Sequence, residues 1–167
     1  MNARYRLLMS AAIVCLLQIA GARAATPLPH FAKDKSMGVA SCASSLCHGA
    51  IETWKASSAL QNEYVAWSRS DKHARAYTVL LNERSREIAK KLALPQPAHQ
   101  SDICLDCHTH NPQPAQRGQG FQLTDGVACE ACHGPAERWL RSHVEPGATH
   151  ARNLVRGGLE GGVGQDD

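Results

Sequence analysis

CEACH, residues 129–133, places two thiols three positions apart with a histidine directly after the second, and CLDCH (104–108) repeats the arrangement. Two cysteines so spaced can add to the two vinyl groups of one haem as thioethers, and the adjoining histidine then reaches under the ring to bind its iron. The spacing matters because the vinyl carbons lie a fixed distance apart. The same letters permit other chemistry: two Cys-x-x-Cys pairs can share a zinc ion, and one pair can be a redox dithiol. A histidine after both second cysteines favours haem. A third stretch, SCASSLCHGA (41–50), ends in the same Cys47–His48 pair but puts four residues between Cys42 and Cys47. Taken alone it fits a disulfide with an incidental histidine. Beside two tight motifs it is better read as a third haem site in which Ser44 and Ser45 bulge outward.

The 167-residue chain is long enough for one domain. Its start is read as a signal peptide over residues 1–24: Arg4 and Arg6, the apolar run LLMSAAIVCLLQIA (7–20), and ARA (22–24) as cleavage site. That run is short for a bilayer span and is broken by Gln18. Export to the periplasm follows, with no integral membrane segment after cleavage, and it agrees with haem attachment outside the cytoplasm. Removing Arg4, Arg6 and Arg23 from the 18 basic residues leaves 15 against 15 acidic ones. A neutral mature chain gives no electrostatic case for nucleic acid or a membrane surface. Cys15 leaves with the signal, and the remaining six cysteines fall into the three pairs Cys42/Cys47, Cys104/Cys107 and Cys129/Cys132. An even count in an oxidising compartment also permits three disulfides, but the histidine after each pair argues for three covalent haems c.

Aromatic residues make up only 5% of the chain, so side chains alone fill a core poorly and porphyrin rings are expected to supply the rest. The fold class expected is mainly α, a small multihaem cytochrome c with a haem-filled core and little or no sheet, over residues 25–155. Residues 52–70 are compatible with helix. A longer helix is expected over 72–94, capped by Ser70 or Asp71 and ended by Pro95 and Pro97. His73, Ala76, Tyr77, Leu80, Leu81, Arg84 and Ile88 share one face of it. Residues 109–126 read as loop, where GFQL (120–123) is at most a short strand. A last helix begins near GPAERWLRSH (134–143) with Pro135 in its first turn. The glycine-rich tail 156–167 is expected to be disordered.

His48, His108 and His133 are the expected proximal iron ligands. The histidines to spare for second axial positions are His30, His73, His99, His110, His143 and His150; a position left empty admits a small ligand, and Met37, the one methionine left after cleavage, makes methionine ligation at most a minor theme. His73, on an apolar helical face beside the small Ala76, is a distal candidate. His143 and His150, both following Trp139, are two more, of which one suffices.

AWSRSDKHARAYTVL (66–80), CLDCHT with RGQGF, and DGVACEACHGPAERWLRSH (125–143) together resemble the tetrahaem cytochrome c family that accepts electrons from hydroxylamine oxidoreductase in nitrifying bacteria. The resemblance covers residues 41–150, with three of the family's four haem motifs and a longer first one. It implies crossed ligation, with His73 on the iron held by His133 and His143 on the iron held by His48. It also implies that the His108 haem lacks a protein ligand on its far side, unless His30, His99, His110 or His150 fills it. The expected function is electron transfer between redox protein partners, a donor and an acceptor that include a quinol-linked membrane protein or another multihaem protein. The rival reading is an oxidoreductase acting on a small nitrogen or sulfur species at the His108 haem, with Arg117, Arg138 or His110 as pocket donors. A zinc or disulfide scaffold that binds a partner is the third.

Overall fold

The computed structural model describes residues 28–55 and 59–155; the expected signal peptide and glycine-rich tail lie outside them. Short helices joined by long, well-bonded loops make up these residues, so the fold is mainly α. Helix α1 (Glu63–Ser70) has Glu63 in its first turn and Arg69 in its last, both favourable to the helix dipole. A 3-10 turn, His73–Arg75, leads into α2 (Ala76–Val79), followed by α3 (Glu83–Lys91). A second 3-10 turn, Ala98–Gln100, precedes α4 (Asp102–His108). Then come α5 (Glu130–His133) and α6 (His150–Val155). Among the described residues there is no strand, GFQL included; Ser36 and Arg117 form an isolated parallel bridge. No described helix is long and apolar enough to cross a membrane.

The single helix expected over 72–94 is instead broken in the middle. Asn82 leaves the helical path, and its side chain accepts from the Ser85 amide at 2.8 Å, the N-cap bond that starts α3. Ser85 Oγ meanwhile donates to the Val79 carbonyl at 2.8 Å, satisfying the end of α2. The break turns the expected apolar face apart. Leu80 is buried, but Leu81, Arg84 and Ile88 are exposed. Asp71 does act at the start, accepting from the His73 amide at 2.9 Å. The helix expected from residue 134 is likewise a run of turns ending in the 3-10 segment Ser142–Val144. There the Trp139 carbonyl accepts from the His143 amide at 3.0 Å and from Ser142 Oγ at 3.2 Å, side-chain competition that disfavours a regular helix.

The buried apolar cluster is small: Leu80, Ala89, Ala98 and Leu105, with Tyr77, Leu94 and Cys104 packed against it. It fastens α4, which carries the CLDCH motif, to α2 and α3. Large apolar side chains remain exposed beside the motifs, among them Leu46 at 80%, Ile51 at 73% and Ile103 at 68%.

The Pro-containing segment ahead of the first motif is a clamp. Ser36 is paired on both sides, its amide to the Gln116 carbonyl and its carbonyl to the Gly118 amide, each at 2.8 Å. Gly38 (φ 91°) lies so close to the Gly120 backbone that a Cβ would overlap it. Buried Glu130, inside CEACH, accepts from the amides of Met37, Gly38 and Ala136, all at 2.7 Å. One carboxylate thus joins this segment, the third motif and the chain leaving it.

Candidate haem-binding site

In the third motif the chain turns so that the His133 amide donates to the Cys129 carbonyl at 2.9 Å, and Gly134 (φ 78°) ends the turn. Cys129, Cys132 and His133 thereby share one helical turn. The second motif lies on α4, with Cys104 half-buried, Cys107 exposed and His108 half-buried. The first motif closes as the third does despite its length: the His48 amide donates to the Cys42 carbonyl at 3.2 Å. Its extra residues form an outer loop held by Cys47 N–H to Ser44 O at 2.8 Å and Gly49 N–H to Ser44 O at 2.9 Å. A Cβ on Gly49 would run into the Ala43 carbonyl, so glycine permits the fold-back. No two of the six motif cysteines are joined as a disulfide. Cys42 meets Cys129, across two motifs: their hydrogen bond, with burial, pushes the Cys42 thiol up, and the same bond pulls Cys129 down.

The histidines divide by which ring nitrogen the protein engages. His48 Nδ1 donates to Glu63 Oε2 at 2.9 Å, and His108 Nδ1 donates to the Ala76 carbonyl at 2.9 Å. His143 Nδ1 faces the Trp139 carbonyl at 3.3 Å, and His73 Nδ1 pairs with Asp71 Oδ1 at 3.0 Å. In each case Nε2 is the nitrogen that these bonds leave for a metal, and an Nδ1 bond of this kind fixes tautomer and ring orientation. His110 is the reverse. Buried at 3% exposure, it uses Nε2 on Ser36 Oγ at 2.7 Å and packs edge-on to Phe121. It belongs to the clamp. Burial works against ionisation of Glu63, but its bonds from His48 and from backbone amides outweigh that and hold the carboxyl below its ordinary value. Burial pushes Glu130 up, opposed by its three amide donors.

One pair of rings tests whether an iron fits. The His48 and His143 centroids lie 6.3 Å apart with planes within 9°. Two imidazoles trans on a metal, each nitrogen at about 2 Å, put their centroids roughly 6 Å apart. The separation matches that span with the rings parallel, and buried Trp139 packs edge-on to His143 at 5.3 Å. His73 is exposed, yet its carbonyl accepts from the Val127 amide at 3.1 Å, which anchors it just ahead of the third motif. His99 is half-buried, its Nε2 3.3 Å from Gln100 Nε2. His150 opens α6, and its side chain, like that of His30, lies outside those described. Among the described residues, no three His, Cys, Asp or Glu side chains come together as a metal cage.

Sequence reasoning missed Glu63 and Glu130. Nothing in the spacing of Glu63 ties it to His48, and Glu130 fills a position that the thioether chemistry leaves unconstrained.

A family model for cytochrome c554 and c-prime matches residues 41–134, more than half of the chain. No curated protein and no solved structure matches it.

Proposed function

We propose, from the premise that this chain belongs to the cytochrome c554 and c-prime family and so is a multihaem c-type cytochrome that carries covalent haem c and transfers electrons, that it is an exported trihaem electron relay. In this reading Cys42 and Cys47, Cys104 and Cys107, and Cys129 and Cys132 form the thioethers, with His48, His108 and His133 as proximal ligands. His143 completes the iron of His48, and His73 that of His133. The observation that carries the reading is the parallel His48–His143 pair at 6.3 Å, which the long first motif delivers as a tight one would. Haem supplies a one-electron couple, and the protein sets its ligation, burial and spacing. The residue blocks shared with carriers that serve hydroxylamine oxidoreductase support redox proteins as partners, a multihaem oxidoreductase as donor and a soluble or quinol-linked membrane protein as acceptor. Residues 1–24 would direct export and 25–155 form the domain, followed by the tail 156–167.

A second reading, an oxidoreductase acting on a small nitrogen or sulfur species at the His108 haem, has one observation in its favour. His110, two residues from His108, is turned away with its Nε2 on Ser36. Electron paramagnetic resonance of the oxidised protein, with and without nitric oxide or hydroxylamine, separates the two. A relay with the proposed ligation shows low-spin signals from the His48 and His133 haems, and no part of its spectrum changes with either molecule. A high-spin signal that changes on addition favours the second reading, and the absence of any bis-histidine signal overturns the proposed ligation.

A further inference from the structure

Glu63 belongs to none of the Cys-His motifs, yet it is the best-anchored partner of a proposed iron ligand. It lies in the first turn of α1, and its Oε1 accepts from the Gln61 amide at 3.2 Å while Oε2 takes the His48 Nδ1 proton at 2.9 Å. The backbone locks the two together: Tyr64 N–H donates to the His48 carbonyl at 2.9 Å, and Ala50 N–H to the Gln61 carbonyl at 2.8 Å. Asp71 gives His73 a second carboxylate at 3.0 Å, whereas His108 and His143 meet the neutral carbonyls of Ala76 and Trp139. We propose that Glu63 is a positioning and potential-tuning residue that holds the His48 haem more reducing than its two ligands alone would. A carboxylate accepting the Nδ1 proton draws that proton toward itself and makes the imidazole a stronger donor, which favours the ferric iron. Electrons arriving at the His48 haem are thereby biased to leave it for the His108 haem, whose ligand meets a neutral carbonyl.

This inference rests on the proposed ligation of one haem by His48 and His143. The test is a potentiometric titration of holoprotein bearing Glu63→Gln, which keeps the shape and removes the charge, beside Glu63→Asp. A variant with Cys42 and Cys47 both changed to Ser, lacking that haem, identifies its couple. The expected result is a positive shift of that couple alone in Glu63→Gln, by roughly tenfold in the reduction equilibrium, about 59 mV for one electron. Glu63→Asp should recover part of it. Three haems by mass with an unmoved couple would overturn the role of Glu63 and leave the ligation standing. Two haems in the wild-type protein would overturn both. If Glu63→Gln fails to mature, nuclear magnetic resonance of the reduced wild-type protein decides. The His48 Nδ1 proton must lie well downfield of that of His143, and equal shifts contradict the proposal.

Discussion

At the residue scale, ring nitrogens separate ligand histidines from structural ones. His143 places Nδ1 against the Trp139 carbonyl and leaves Nε2 unengaged, whereas His110 commits Nε2 to Ser36. His143→Ala should therefore convert one low-spin haem to a high-spin, ligand-binding one with the haem count unchanged, read by optical and paramagnetic resonance spectra. His110→Ala should leave the low-spin spectra alone and lower stability by about 1–3 kcal/mol, the cost of stranding a buried hydroxyl partner, read by denaturant unfolding. Altered low-spin spectra in the second variant would contradict the assignment of His110 to the clamp. The sequence makes all of these histidines look alike. Which nitrogen is engaged depends on a hydroxyl 74 residues away in one case and a carboxylate 15 residues away in another. Neither partner sits at a motif spacing.

At the scale of elements, the helical pattern around residues 72–94 is legible, but its break is not obvious from periodicity. The signal is Asn82 followed by Glu83 and Ser85, a capping sequence inside an apparently continuous apolar stripe. Asn82→Ala should cost about 1 kcal/mol, measured as a lowered denaturation midpoint; no loss would mean that the Ser85–Val79 bond alone maintains the break. Glu130 has a larger part, since its two oxygens receive three amides. In Glu130→Gln an amide group must face a backbone donor, and a loss of about 2 kcal/mol is expected. The bulge in the first motif predicts tolerance: deleting Ser44 and Ser45 restores Cys-x-x-Cys-His spacing and should leave haem attachment intact, checked by intact mass.

At the scale of the whole molecule, a cluster of Leu80, Ala89, Ala98 and Leu105 is a thin interior for the described residues, 28–55 and 59–155. The shortage of aromatic residues makes that legible in advance, because it points to an interior completed by something other than side chains. The mainly α fold and the family's chemistry follow from the same motifs. The clamp formed by Ser36, Gly38 and Glu130 does not, since a segment without periodicity carries no sign of what its backbone will meet. Protein made without haem should therefore unfold without a sharp transition, while the holoprotein unfolds cooperatively; a sharp transition in both would show that the polypeptide core suffices.

The central claim is that all three Cys-His motifs, the long one included, carry haem. Intact mass of the protein matured in a periplasm that attaches c-type haem tests it most directly, with peptide mapping to locate each group. Three haem additions are expected, one of them joined to Cys42 and Cys47. Two additions, with Cys42 and Cys47 joined to each other as a disulfide, would contradict it.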